Sequence, residues 1–447
     1  MIGLHSPHGQ RRVTALTLLC VVFLSTGFVP VTESVSPDPP LPWLAELGER
    51  LDDEAALDAL VERMRDRRLV LLGESTHGTH EYYVWRDRIS RRLIETGDFR
   101  FLAVEGDWAT LLELNRYVKD KPGAPDSARA ALERLERWPP WMWANEEIEA
   151  LAEWLREWNQ DRPMEERAGF YGKDVYAPWL AAEAVIAFAR DHLEGGERLR
   201  VRRKLARFQR HEEDIQAYVR STFPQRAETL ESLRGLVALI AAAEDAPDFE
   251  RFAAKQSAYV VKGAHRHFMG MVDRGPESWN ARVEHMESTV ERLLKRYGPD
   301  ARGIVWAHNT HIGDARATAM AERGEVNIGQ LSRERHGIEN VFALGFSTHR
   351  GRVQAGRDWG GRRQAMRIPD GIAGSLEDAL NIHFPEGALL FFDEAPETAH
   401  TNPVPHRAIG VVYRPEAEQG NYVPTRLAAR YDAMLFIPET TALRPIE

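Results

Sequence analysis

The sequence predicts an α/β protein: a mostly parallel central sheet with helices on both faces and a large helical insertion acting as a cap. Three observations carry the prediction. Short, continuous apolar runs alternate with helical patterns, as parallel strands buried on both faces require. The stretch from Ala177 to Tyr297 is almost entirely helical in pattern, too long for one crossover. Strand character returns after it, so the insertion divides the core in two.

The elements follow in order. Leu44–Arg65 carries Ala, Leu, Glu and Arg at helical spacing, broken near Gly48. Arg68–Leu72 is an apolar run ending at Gly73, the pattern of a buried strand. Thr79–Glu95 reads as a helix with Thr79 as N-cap, Glu81 in the first turn and Gly97 closing it. Phe101–Val104 is a second strand and Trp108–Val118 another helix. Residues 120–160 form a proline-punctuated loop and a Trp-rich helix, and Gly169–Tyr171 a third strand. The helical stretch 177–297 has breaks near Gly195, Pro224 and Pro247. Later strands are predicted at Gly303–Trp306, Val341–Gly345, Ala388–Phe392, Ile409–Tyr413 and Met434–Ile437. The first part of the core is thus 43–176, the cap 177–297 and the second part of the core 298–447.

Composition narrows the function classes. The chain has 447 residues, 43% hydrophobic and 28% charged, which fits a folded protein rather than a disordered one. A net charge of −10 argues against nucleic-acid binding, which usually needs a basic domain. The single cysteine, Cys20, excludes an intrachain disulfide framework and Cys-based metal or iron–sulfur sites. Arg11 and Arg12 precede the apolar run Val13–Phe28, a basic n-region and a short h-region. They predict an export signal over residues 1–36, with small residues for cleavage at Ser25/Gly27 or Ser34/Ser36 and a Pro-rich linker over 37–42. An uncleaved anchor is the alternative, although the run is shorter than the roughly 20 residues of a spanning helix. The expectation is an exported protein, periplasmic or extracellular, without stable membrane association after cleavage.

Chemistry concentrates at three strand ends. Gly73-Glu74-Ser75-Thr76-His77-Gly78-Thr79-His80-Glu81 lies where a buried strand runs out and a helix begins, the edge at which parallel sheets bind ligands. A polar turn with a satisfied Glu–His pair is the plainer reading of this segment. Glu105-Gly106-Asp107 again follows a strand directly; Glu105 projects toward the same edge, while Asp107 reads as a helix N-cap. Trp306-Ala307-His308-Asn309-Thr310-His311 follows a third strand. The convergence of Glu74/His77, Glu105 and His308/His311 is the main evidence for a site. A carboxylate beside an imidazole can hold one tautomer and shift its pKa.

Other candidates are weaker. On a helix starting near Thr79, Arg86 and Arg88 fall on different faces, so at most one points at the edge. His265 and His267 read as surface or packing histidines. Ser75 and Ser347 stand in Gly-x-Ser-x-His segments, which lack the fifth-position glycine of a nucleophile elbow. The Trp138–Trp158 cluster is read as core, or as the wall of an apolar pocket.

These residues resemble the erythromycin esterase family. The resemblance rests on the Gly-Glu-x-x-His-Gly-x-x-Glu pattern at 73–81, on Glu105 and on Trp306–His311. It is extended by Phe170-Tyr171-Gly172-x-Asp174, by Trp279-Asn280-Ala281-Arg282, by Arg407-x-Ile409-Gly410, by Asn421-Tyr422 and by Tyr431-Asp432-Ala433. One position departs: Val283 follows Arg282, where many members carry an acidic residue. The resemblance implies an erythromycin-esterase/ChaN-like α/β core with a helical cap. It also implies hydrolysis of an ester or lactone, a macrolide in the dedicated resistance enzymes, without metal or other cofactor. By residue, it implies His77 as catalytic histidine, Glu74 as its partner, Glu105 as the second carboxylate, Arg86 as the helix arginine, and His308 and His311 as the later pair.

Physically, His77 suits a base that activates water, with Glu74 or Glu105 fixing its tautomer and Arg86 or His308 meeting the oxyanion. Two alternatives use the same residues. Glu74, His77, Glu105 and His308 form a nitrogen/oxygen ligand set for a metal-dependent hydrolase. A non-enzymatic ligand- or haem-binding protein would use a histidine as axial ligand. The helices of 177–297 are expected over the cleft, because a polar edge alone could not hold an apolar ring.

Overall fold

The computed structural model describes residues 41–211, 214–273 and 275–446. The expected export signal and all but the last two residues of the expected linker lie outside the described residues. Among the described residues, thirteen strands follow one another: β1 Gly48–Arg50, β2 Leu69–Leu72, β3 Phe99–Asp107, β4 Gly169–Asp174, β5 Arg302–Trp306, β6 Val341–Ser347, β7 Arg350–Gly356, β8 Arg363–Ile368, β9 Ala388–Phe391, β10 Val404–Arg407, β11 Tyr422–Thr425, β12 Ala433–Phe436 and β13 Glu439–Thr440. Eight build one sheet in the order β1-β9-β12-β6-β2-β5-β3-β4. The six strands from β12 to β4 run parallel, and β9 pairs antiparallel with both β12 and β1. The predicted mostly parallel sheet is therefore present.

Alternation along the strands builds two cores. Leu69, Leu71, Phe101, Ala103, Val305 and Ala343 enter one core, shared with the helices Pro178–His192, Asp248–Gly270 and Glu277–Tyr297. Val70, Leu72, Leu102, Val104, Ile304 and Leu344 enter the other, shared with Asp53–Met64, His80–Thr96 and Glu146–Asn159. Burying each Leu, Val or Ile side chain is worth about 1.5–3 kcal/mol, so burial on both faces pins the register. Among the described residues, no helix is long and apolar enough to cross a membrane.

Three sequence expectations need correction. The break expected near Gly48 in the helical stretch Leu44–Arg65 is present but is more than a break: between the helices Leu44–Leu47 and Asp53–Met64, Gly48–Arg50 is an edge strand on β9. Asp52, not a continuous turn, starts the second helix, accepting the Ala55 N–H on its side chain. Ile409–Tyr413 is not a strand. It crosses between loops on isolated bridges, Ile409 to Thr76 and Val412 to Gly356. Asp107 occupies the N-cap position but makes no side-chain cap; Arg137 Nη1 draws its carboxylate away at 2.9 Å. The hairpin β7–β8, whose small and arginine residues hide its alternation, went unpredicted.

Candidate active site

Four adjacent strands, β2, β5, β3 and β4, deliver the site at their carboxyl ends. The chain leaving β2 is tightly confined. A Cβ on Gly73 would come within 2.1 Å of Asn309 Oδ1 and 2.9 Å of the Leu344 carbonyl, so only glycine passes between β5 and β6. Beyond it, the Glu74 carbonyl accepts the Asn309 N–H at 2.8 Å and the Ser75 carbonyl accepts the Ile409 N–H at 2.8 Å. Thr76 and Thr79 bond through their hydroxyls, which keeps the Thr79 side chain from capping its helix.

Within this frame, His77 Nδ1 lies 2.9 Å from Glu74 Oε1. Arg86 Nη2 stands 2.8 Å from the other Glu74 oxygen. Arg86 is wholly buried, with its guanidinium carbon 4.2 Å from the Tyr83 ring centre and 4.7 Å from that of Trp306. Ring faces thus take the place of hydrogen-bond acceptors around it. Arg88, two residues on, points outward to Asp53 and Glu54.

The second group centres on Glu105, at a register shift in β3 that separates Val104 from Asp107. One carboxylate oxygen accepts the His308 backbone N–H at 2.9 Å. The other lies 2.8 Å from Arg282 Nη2 and 3.3 Å from His311 Nε2. Arg282 also grips Asp174 in bidentate fashion, Nε to Oδ1 at 2.9 Å and Nη2 to Oδ2 at 2.6 Å. His311 stacks on Trp279, 4.6 Å between ring centres and 5° from parallel. His308 faces His77, their ring centres 4.8 Å apart. Its Nδ1 accepts from Thr310 and its Nε2–H donates to the Ser75 carbonyl at 3.2 Å.

Charge follows geometry. Burial pulls the His77 pKa down, but the Glu74 hydrogen bond and the charges of Glu105 and Glu74 outweigh it, and the net shift is upward. His308 is held well below the usual imidazole range by burial and by His77 beside it. Burial also lowers His311. Burial pushes the Glu105 carboxyl up, yet His311, His77 and Arg282 overcome it and hold the group ionised. Lys173 on β4, wholly buried with Nζ 3.3 Å from the Trp306 carbonyl, is lowered by desolvation to about 8.

A family model described as erythromycin esterase matches residues 94–440. The chain belongs to the erythromycin esterase family. Three solved structures share the fold of this hydrolase family member. A succinoglycan biosynthesis protein is 21% identical with a TM-score of 0.73, covering 90% of this chain and 96% of its own. A Bacillus cereus protein is 18% identical with a TM-score of 0.75, covering 91% and 98%. A mutant of the erythromycin esterase EreC in its open conformation is 16% identical with a TM-score of 0.63, covering 90% and 97%.

All six sequence-chosen residues of this esterase-family chain lie at one sheet edge, but not in equivalent positions. Glu74 and His77 pair; His308 and His311 flank Glu105; Arg86 sits behind Glu74, sealed from solvent, where it can orient the carboxylate but not reach a bound carbonyl. His308 has both nitrogens engaged and is neutral, so it is no free oxyanion donor in this arrangement. Asp174 and Arg282 were not placed in the site by sequence reasoning. Asp174 could have been, since it follows a strand as Glu105 does. Arg282 lies in a long helix, and Val283 after it faces away into a cluster with Met286 and Ile328, so the departure at that position leaves the site intact. Among the described residues, no three His, Cys, Asp or Glu side chains stand where they could hold a metal ion.

Proposed function

We propose that this erythromycin esterase family hydrolase cleaves a carboxylic ester or lactone with water activated by His77. The observation that carries the reading is the His77–Glu74 pair: Nδ1 is bonded to the carboxylate at 2.9 Å, and the side chain keeps 10% of its surface exposed amid otherwise buried charged groups. Nε2 has no hydrogen-bond partner from the described residues and is the basic atom presented to substrate.

The chemistry then proceeds in two proton transfers. Nε2 takes a proton from water as its oxygen bonds to the acyl carbon and the carbonyl π electrons move to oxygen. Glu74, placed between His77 and Arg86, stabilises the imidazolium. The tetrahedral species expels the alkoxide, which takes that proton from Nε2. A positioned base of this kind is worth roughly 10²–10⁴ in rate. Arg282 keeps one Nη1 hydrogen beyond its bonds to Asp174, Glu105 and His311, and with 11% of its side chain exposed it is assigned to the oxyanion. One such donor contributes about 3–4 kcal/mol.

In this reading residues 1–36 direct export, and the helical stretch 177–297, packed on one face of the sheet, supplies Arg282. Incubating the protein with a panel of lactones and esters, with mass detection of products, tests the activity. Hydrolysis lost in His77→Ala supports the reading, and hydrolysis undiminished in that variant sinks it.

A further inference from the structure

Lys173 stands at the catalytic edge, and the hydrolysis described above leaves it without a task. It lies on β4, wholly buried, between Gly172 and Asp174. Its Nζ donates to one carbonyl, that of Trp306, at 3.3 Å. A single long hydrogen bond does not offset the loss of water around an ammonium. A thioether in its place would pack at less cost.

Its position in the sheet supplies a reason. β3 and β4 are in register at Val104 and Gly172 and meet again at Asp107 and Asp174. Glu105 and Gly106 therefore stand against Lys173 alone, as in a β-bulge. A Cβ on Gly172 would come within 2.3 Å of the Asp107 carbonyl oxygen and 2.5 Å of that of Gly106, so β4 is pressed against the bulge. On its other side, β3 leaves β5 after the Val104–Trp306 pair. Side chains meet the backbone there: Lys173 Nζ donates to the Trp306 carbonyl, and Glu105 Oε2 accepts the His308 N–H at 2.9 Å. Lys173 spans two strand spacings to do so, roughly 9–10 Å between backbones, which only a long side chain can bridge. Glu105 and Lys173 also share a face of the sheet. Ala103 and Tyr171 are register partners in the core packed on helix Glu277–Tyr297, and each of the two charged residues lies two positions further on.

The formal charges balance only with Lys173 included. Glu74, Glu105 and Asp174 bring three carboxylates to this edge, and Arg86 and Arg282 bring two guanidiniums. Asp107 has its own cation in Arg137. The ionisable groups around Lys173 are Glu105 on β3, Asp174 on β4, Arg282 on helix Glu277–Tyr297, Glu74 after β2 and His311 after β5. Those around His77 are Glu74, Glu105, Arg282 and His308. Burial lowers the Lys173 pKa to about 8, so the charge is present through the histidine range.

We propose that Lys173 is a positioning residue: its ammonium ties the end of β5 across the β3 bulge, holds Glu105 beside it, and supplies the third positive charge that leaves His77 as the base. Without that charge the edge carries one carboxylate in excess, and His77 binds its proton more tightly. The inference rests on the hydrolase reading only in naming His77 the base.

The test titrates the His77 imidazole by NMR in the chain carrying isotope-labelled histidine, its signal assigned by its loss in His77→Ala. Lys173→Met, close in shape, is expected to move the His77 midpoint up by about half a pH unit or more. Lys173→Arg, which keeps the charge, is expected to leave it near the parent value. A midpoint unmoved in Lys173→Met overturns the proposal, and so does one that moves as far in Lys173→Arg. Where Lys173→Met does not fold, the comparison is made in Glu105→Gln, where the second substitution leaves no carboxylate in excess. The midpoint should then be higher in Glu105→Gln/Lys173→Met than in Glu105→Gln, and equal midpoints overturn the proposal. With p-nitrophenyl acetate as substrate, the rising limb of kcat in Lys173→Met should follow the NMR midpoint, with KM little changed. The hydrolase reading fails by different results: a limb that stays put while the midpoint moves, or His77→Ala hydrolysing p-nitrophenyl acetate as fast as the parent.

Discussion

The imidazoles of His77 and His308 face each other at 4.8 Å, yet their pKa values are driven in opposite directions. Two cations this close in a buried site would repel, so one ring takes the proton and the other is kept neutral. Glu74 decides which. It bonds His77, whereas His308 spends its nitrogens on Thr310 and the Ser75 carbonyl. The pair is therefore asymmetric before any substrate arrives, with the proton-accepting role on the more exposed ring.

The pH dependence of hydrolysis follows from that asymmetry. A base must be deprotonated to work, and the His77 pKa is raised above 6.5. The rate should climb with pH through a single apparent pKa above that of a free imidazole. His77→Ala should lower kcat by roughly 10²–10⁴ and abolish this limb. A rate that is flat from pH 5 to 9 contradicts the assignment.

Glu74→Gln separates position from charge. The amide keeps the shape and can still accept from Nδ1–H, but it removes the negative charge that helps raise the His77 pKa, so the surviving activity should shift its pH limb to lower pH. It also strands the Arg86 cation, fully buried, without its carboxylate. Breaking a buried pair in this way costs about 3–5 kcal/mol of stability. The double variant Glu74→Gln/Arg86→Met should regain much of that stability but none of the activity. Recovery of activity in the double variant would show that Glu74 serves only to neutralise Arg86.

How much of this was readable before the structure depends on locality. Glu74, His77, Glu105 and His308 each sit within a few residues of an apolar run, so the strand-end rule finds them. That β2, β5 and β3 are neighbours is a long-range fact that no local pattern carries. Arg282 is 177 residues from its partner Glu105 and lies on the polar stripe of a helix, where arginine is ordinary. The β7–β8 hairpin escaped because Arg352 and Arg367 stand opposite each other where an alternating strand would show its apolar pattern less ambiguously. Ile409–Tyr413 looks like a strand because it is apolar, but its partners are the loop at Thr76 and the end of β7.

Metal dependence can be settled cheaply. Both Glu105 oxygens are engaged by Arg282, His311 and the His308 N–H, and both Glu74 oxygens by His77 and Arg86. Binding a cation through these groups would require breaking buried ion pairs. Prolonged chelation should therefore leave kcat unchanged, and added divalent ions should not raise it, with metal content checked by elemental analysis. Loss of activity with rescue by a divalent ion would instead promote Glu74, His77, Glu105 and His308 to ligands.

Stability should fall as the solution is acidified through the histidine range. Burial holds His267 down to about 4 and His285 to about 3, and lowers His265, His308, His311 and His406 as well. These rings stay neutral in the fold while the unfolded chain binds protons near pH 6.5. The unfolded state then carries more protons, so stability rises with pH, fully present above 6.5 and lost as pH falls toward the folded values. A depression from 6.5 to about 4, as for His267, corresponds to roughly 3 kcal/mol once pH lies below both values. His77, with its pKa raised, acts in the opposite sense, as does Glu287, which burial raises to about 7. Six lowered histidines outnumber these two, so the melting temperature should drop steadily from pH 7 to pH 5, before most carboxylates titrate. His285→Gln removes one titrating ring and should flatten that slope. A melting temperature that stays constant from pH 7 to 5 would mean that the buried imidazoles are protonated in the folded chain.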